Sequence, residues 1–396
     1  MKFTVNTRYK MMQGLFWMMF CVSSGFISLY LQGRGLGNGG IGTVTAIFGI
    51  LAALLQPVLG GITDRSDRLT WRSVVLMLSI PFLLVCILMP LIPGTWAGAL
   101  FMGILILLGN TIIPFINSAH FYYSQAGEYI NFGVARGIGS GLYALLALVI
   151  GALAAKYGIE MVPITGIVIA SLFIFVVFRM PSTKEPSEKA PREKTQQKGF
   201  LLRYPAFSLM LIACLLMFTT HNILNTYLLQ IIQSLGGNSS QLGVALAIQA
   251  VVEVPVLFGF SKLMKRFTPK SLMMTAAVGF ALKALMYAIS GSVVMIYLIQ
   301  FTQMISFALF ASSSVFYTSQ TIAKQDQTAG QAYMTSMMAA GTVLGSLTGG
   351  WILELSSLKV MLSVNVAIAL LGVCFALISI NSQGLREYIN ARKRLS

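Results

Sequence analysis

Of the eleven Asp and Glu in this 396-residue chain, ten sit in polar connectors or at the ends of apolar stretches, and Glu253 alone stands near the middle of one. A charge at membrane depth costs roughly 2.5 kcal/mol or more, so an acid retained there is a functional candidate. A carboxyl sealed from water can take up a proton and give it back when a cation or water approaches. Lys283, in the middle of the following apolar stretch, is a cation that would compete for it; the plain alternative is a fixed structural ion pair. Gln249, one helical turn before Glu253, shares its face, and Pro255 loosens the helix just beyond.

A second group carries binding chemistry. Arg136, Ser140 and Tyr143 fall at i, i+4 and i+7 and so place a guanidinium, a hydroxyl and an aromatic ring on one helical face. Arg donates paired hydrogen bonds to vicinal hydroxyls, and a ring packs on the apolar face of a pyranose or a base. Further polar stripes occur at helical spacing: Asn110, Asn117, His120 and Ser124; His221, Asn222 and Asn225; Gln300, Gln303 and Ser306. Lipid cannot satisfy such stripes, so they face the interior, either lining a cavity or joining helices. His120 and His221 read as proton relays or as neutral, hydrogen-bonded core residues.

The remaining residues exclude other chemistries. Paired carboxylates, clustered metal ligands and a nucleotide loop are not found in the sequence, which argues against an enzyme and against a bound metal. Cys21, Cys86, Cys214 and Cys374 sit singly in apolar stretches and read as small core residues. The net charge of +16 resembles a nucleic-acid signal until the basic residues are located. Twenty-two of the 27 Lys and Arg fall in the termini and in connectors on one side of an alternating thread, against Arg34, Lys156 and Lys359 on the other. Arg136 and Lys283 lie within spans. Basic excess marks the cytoplasmic side, so both termini are expected there and the charge reports topology.

The elements that must hold these groups follow from composition. With 56% hydrophobic and 10% charged residues and a mean hydropathy of +0.80, the chain reads as an all-α membrane protein of the cell membrane. Its spans are expected near 11–31, 41–62, 73–92, 97–124, 133–155, 162–179, 205–232, 242–261, 271–290, 294–319, 331–353 and 360–380, each long enough to cross a bilayer as a helix. The first is too long for a signal-peptide core and is expected to stay in the mature protein. A polar stretch divides the spans six and six, giving a bundle at 1–180, a cytoplasmic linker at 181–204, a second bundle at 205–381 and a basic tail at 382–396. PVLGG at 57–61 recurs as PVLFG at 255–259, displaced by 198 residues, half the chain. The match favours a duplicated six-helix unit of the kind used in alternating access. Gly133, Gly137, Gly139 and Gly141 in the fifth span, like Gly341, Gly345, Gly349 and Gly350 in the eleventh, let backbones approach, as static packing or as a sliding contact.

Two motifs resemble a known family. GGITDRSDR, with Gly60, Asp64, Arg65 and Arg68, resembles the cytoplasmic signature of the major facilitator superfamily, with Asp67 where that pattern has a second Gly. NFGVARGIGSGLYALLALVIG at 131–151 resembles the fifth-helix motif of the lactose permease and oligosaccharide:proton symporter family, and LLQPVLGGITDR resembles the same family. The resemblance implies two pseudo-symmetric six-helix bundles and a conformational latch at Gly60, Asp64, Arg65 and Arg68. It makes Arg136 the sugar-binding arginine and Tyr143 the stacking aromatic.

Elsewhere the pattern departs. Ser118, beside Asn117, stands where the family has a Glu, an arrangement similar to the related nucleoside:proton symporters. Asn222 and Asn225 replace acids, and Gln303 and Ser306 replace a coupling His and Glu. Lys283 matches a coupling arginine in kind, and Glu253 is offset by three residues from the family's acid. The expected substrate set is therefore Arg136, Tyr143, Asn117, Ser118, His120, Asn222, Asn225, Gln249 and Gln303, with Glu253, Lys283 and His221 for proton coupling. The expected function is proton-coupled import of a small oligosaccharide or glycoside by a functional monomer in the lipid bilayer. No cofactor is expected besides the coupling proton, and no nucleic-acid partner. A nucleoside:proton symporter and an exporter of sugars or drugs are the alternatives.

Overall fold

The computed structural model describes residues 4–63, 66, 69–181 and 199–395, with side chains through residue 382. Asp64, Arg65 and Arg68 of the expected latch lie outside these residues. Among the described residues every regular element is helical, and eleven helices are long and apolar enough to cross a membrane, or twelve when a bent pair is joined as one span. We label them α1 (Val5–Gly25 with Ile27–Gly33), α2 (Asn38–Thr63), α3 (Trp71–Leu91), α4 (Thr95–Gln125), α5 (Phe132–Tyr157) and α6 (Met161–Phe178). The second set is α7 (Pro205–Thr226 with Leu228–Ser234), α8 (Ser239–Leu263), α9 (Pro269–Ala288), α10 (Val293–Thr321), α11 (Gln327–Leu355) and α12 (Leu358–Leu395). Each expected span is present.

Helix starts follow local chemistry. The side chains of Thr4, Thr70, Asn131 and Thr268 each accept from a backbone N–H three residues on, closing the orphan donors of the first turn. Interruptions within spans depart from the sequence reading, which treats each span as continuous. In α1 a π-helical turn, Cys21–Gly25, precedes a break at Phe26 and a bend of 44°. Ser23 and Ser24 both donate to the Phe20 carbonyl, at 3.2 and 2.7 Å, and so compete with the backbone ladder at that turn. α7 breaks at Tyr227, and α10 passes through a 3-10 segment at Gln300–Met304. Pro255, by contrast, lies inside an α8 that continues through it.

The chain forms two compact units. One holds the described residues of 1–191 together with Thr226–Val254; the other holds those of 192–225 and Pro255 onward. In the first, α5 packs on α1, α4 on α2, and α3 on both α4 and α6. In the second, α9 packs on α10 and α12, and α11 on α12. The pairings of α1 with α5 and of α3 with α6 recur as α7 with α11 and α9 with α12, as expected of a duplicated unit.

Small residues make the closest approaches possible. A Cβ at Gly341 would stand 2.5 Å from the Leu215 carbonyl oxygen, and one at Gly345 equally close to that of Thr219, so α11 rests directly on the α7 backbone. In the first unit Gly243 of α8 meets the Ala147 carbonyl and the Cα of Gly151 in α5. Gly60 and Gly141 differ: a Cβ at either would meet nothing within 4 Å, so close packing does not require glycine at those positions.

Polar ties fasten helix ends in both units. Arg34 pairs with Glu160 at 2.9 Å and donates to the Met89 carbonyl at 2.8 Å, joining α1, α3 and the α5–α6 connector. Asn6 accepts from the Asn131 backbone N–H at 3.3 Å, linking the starts of α1 and α5. At the matching place in the second unit buried Asp326 accepts from Tyr204 at 2.7 Å and pairs with Arg203 at 3.2 Å. Burial, then the bond to Asp326, raises the Tyr204 phenol above its usual range and keeps it a donor.

The Gly345 approach yields a paired test. Overpacking a tight contact costs about 1–3 kcal/mol. Gly345→Ala should therefore lower the melting temperature of the detergent-solubilised protein, while Gly141→Ala should leave it unchanged or raise it. Equal melting points for the two variants would contradict backbone contact between α7 and α11.

Candidate functional site

The first unit holds Arg136, Tyr143, Asn117, Ser118, His120, Gln249 and Glu253, and a hydrogen-bonded network surrounds Arg136. Its Nη1 donates to Ser140 Oγ at 2.9 Å, one turn along α5. Its guanidinium carbon lies 3.8 Å from the centroid of the Trp17 ring on α1. Gly139 admits that ring, since a Cβ there would fall 2.4 Å from Trp17 Cδ1. The indole is held in turn: Trp17 Nε1 donates to Gln13 Oε1 at 3.2 Å. Gln13 Nε2 donates to Asn117 Oδ1 of α4 at 3.3 Å and to the Tyr9 hydroxyl at 2.9 Å. The Tyr9 hydroxyl donates to the Ile116 carbonyl at 3.1 Å. Side chains of three helices, α1, α4 and α5, thus form one network around a half-buried guanidinium whose ring-covered face is separate from its N–H edge.

Glu253 belongs to the same unit, is 9% exposed, and lies close enough that its charge acts on both the Arg136 guanidinium and the Tyr143 phenol. Tyr143 shares the border of the α1 π turn at Gly25 with the Cys21 thiol. A Cβ at Gly25 would stand 2.8 Å from its hydroxyl, so the π turn of α1 lies against Tyr143. π turns of this sort recur at functional sites. Gln249 lies on α8 in the same unit, half-buried.

Other expected site residues are engaged differently. Ser118 donates to the Phe115 carbonyl of its own helix at 3.1 Å. The His120 ring lies 3.8 Å from that of Phe121 and 4.6 Å from that of Phe132, with Nδ1 at the Asn117 carbonyl. In the second unit Lys283 is buried and donates to Gln303 Oε1 at 2.6 Å, while Gln300 donates to the Tyr287 hydroxyl at 2.7 Å. The 3-10 segment of α10 sets both Gln side chains toward α9, because residues three apart eclipse there. His221 Nε2 meets Asn225 Nδ2 at 2.8 Å, and its ring stacks on Phe307 with Phe218 and Phe280 at its edges. An imidazole that accepts from an amide inside an aromatic enclosure has the setting of a neutral core histidine. Asn222 donates to the Thr342 carbonyl at 2.7 Å and to Ser346 Oγ at 2.5 Å, joining α7 to α11.

Gln13, Trp17 and Cys21 are the site neighbours that the sequence reading leaves out. Gln13 and Trp17 stand at i and i+4 in an otherwise apolar span, a polar pair of the same kind as the stripes, and that spacing is the signal that could have found them.

A family model described as MFS_1 like matches residues 7–364. No curated protein matches the chain. Two crystal structures of the nucleoside transporter NupG, one of them a point mutant, superpose with TM-scores of 0.80 and 0.81 at 16% and 17% identity, covering 96% of this chain and 99% of theirs. A bacterial homolog of the human lysosomal transporter Spinster, in an inward-facing and occupied conformation, is similar with a TM-score of 0.72 at 14% identity, covering 95% of this chain and 96% of that one. At these identities the likeness establishes the fold.

The coupling of Arg136 to Glu253 is open to a double-mutant cycle. Glu253→Gln leaves a desolvated guanidinium uncompensated, so its melting temperature should fall below that of Arg136→Gln/Glu253→Gln, with a coupling of about 0.5–3 kcal/mol. Additive losses would place the two charges outside each other's range.

Proposed function

The chain belongs to the MFS_1 like family, and on that premise we propose that it imports a small oligosaccharide or glycoside together with a proton, by alternating access. The observation that carries this reading is Arg136, stacked on Trp17, bonded to Ser140 and within the field of Glu253. While Glu253 is ionised, its charge holds the guanidinium. A proton arriving from outside neutralises the carboxylate and frees the N–H edge of Arg136 for the vicinal hydroxyls of a ring, with Tyr143, about two turns along α5, to take the ring's apolar face. The loaded, charge-compensated state is the one that converts. On the cytoplasmic side, loss of solute and proton restores the Arg136–Glu253 attraction. The carrier is thereby biased to move either with both or with neither, which is the requirement of symport.

In this reading the proton is the coupling ion, Glu253 its carrier, and Lys283 with Gln303 a buried cationic support in the second half. The excess of basic residues in alternate connectors supports a cell-membrane location with both termini in the cytoplasm. The second reading, nucleoside import, is favoured by the likeness to a nucleoside transporter along nearly the whole chain. A ribose presents the same vicinal diol to Arg136, and a base the same flat face to Tyr143.

Uptake into proteoliposomes under an inward proton gradient, with oligosaccharides, glycosides and nucleosides in competition, separates the two. Glu253→Gln should abolish proton-driven accumulation while leaving solute exchange measurable; accumulation at the wild-type level would move the carrier elsewhere. Arg136→Lys keeps the charge but loses the planar fork, and should raise the apparent KM about tenfold or more. An unchanged KM would remove α5 from the site. Alkalinisation of the lumen on solute addition, instead of acidification, would identify an exchanger.

A further inference from the structure

We infer that Trp17 is a positioning residue of this site: its indole fixes the plane of the Arg136 guanidinium and so makes α1 a determinant of which solutes bind. The inference rests on the reading of Arg136 as a substrate ligand. A guanidinium has five N–H donors, all in its plane. A ring laid over one face, 3.8 Å from centroid to guanidinium carbon, takes none of them. Ser140 takes one, at 2.9 Å. The stack therefore restricts the side chain's rotation without consuming its donors, which leaves a fork preset for two neighbouring hydroxyls.

The indole is itself constrained from three directions. Its Nε1 is tied to Gln13, which bonds across to Asn117 of α4. Phe16 and Phe20 of α1 meet it edge-on, with ring centroids 5.5 and 5.3 Å away. Gly139 of α5 leaves the space it fills. An aromatic ring in α1 whose only task was to fill volume would need neither the amide tie nor a cation over its face. Because Gln13, Trp17 and the π turn at Cys21–Gly25 lie on one helix, α1 reaches Arg136 through Trp17 and Tyr143 through Cys21 and Gly25.

The test has two arms. In the first, the Trp17 emission spectrum is taken as the difference between wild type and Trp17→Phe, and again in an Arg136→Gln background. A shifted difference spectrum is expected, since the cation leaves the ring; an unchanged one overturns the clamp, and this arm needs no solute. In the second, proton-driven uptake of radiolabelled sucrose and uridine is measured for variants whose melting points match wild type. Trp17→Leu should raise the apparent KM of the accumulated solute about tenfold with the maximal rate within about threefold. Trp17→Phe, which keeps a weaker ring face, should fall between it and wild type. Gly139→Ala, which displaces the indole without removing it, should also raise KM. A loss confined to maximal rate, or equal KM values for Trp17→Phe and Trp17→Leu, would assign Trp17 to packing alone. If neither solute accumulates in wild type, the transport reading fails while the spectral arm still decides the clamp.

Discussion

The candidate site depends on one cation held at a fixed place: the Arg136 guanidinium on α5, bonded to Ser140 and covered by the Trp17 ring, with the Glu253 carboxylate of α8 in the same compact unit. An isolated ion within a span is costly to desolvate, so groups of this kind are kept there with polar neighbours around them. In the proposed mechanism, a proton added to the Glu253 carboxylate leaves the guanidinium in need of new acceptors, which a polyhydroxylated ring would supply. The neighbours fit that role, since Ser140 and Trp17 orient the cation without neutralising it.

The scaffold lets these groups meet. α5 meets the Trp17 ring of α1 at Gly139 and the backbone of α8 through Gly151 against Gly243. α1 has a π turn and a break just where it borders Tyr143. In the second unit the same economy appears as α11 on α7 and as the 3-10 segment of α10 turned to α9, where Lys283 finds Gln303. The matched ties at Asn6–Asn131 and Tyr204–Asp326 show how a duplicated framework diverges: a neutral amide contact in one half has an ionic counterpart in the other.

All twelve spans were legible, because the hydrocarbon core imposes long apolar runs and the connectors between them are short and charged. Arg136 and Glu253 stand out in the sequence for a related reason, since charged groups are so costly in those runs that type and depth alone single them out, whereas Tyr143 stands out only by its spacing from Arg136. Trp17 was harder to pick out, since an aromatic residue in an apolar span has the same signature whether it faces lipid, core or a cation, and only its place one turn after Gln13 marks it. Asn222 illustrates another limit, in that helical spacing assigns a residue to a face but does not name the partner, which here is α11. Breaks at Phe26 and Tyr227 also escaped the pattern. At the first, serine hydroxyls turned onto the Phe20 carbonyl compete with the backbone ladder and leave the hydrophobic period intact.

The central claim is that the carboxyl changing its protonation state is Glu253 and that it does so under the influence of Arg136. Infrared difference spectroscopy of the reconstituted protein across a pH titration reads this directly, through the C=O band of a protonated carboxyl buried from water. The account predicts a band that is missing in Glu253→Gln and whose titration midpoint is displaced in Arg136→Gln. A band that persists without Glu253, or a midpoint indifferent to the loss of Arg136, would contradict it.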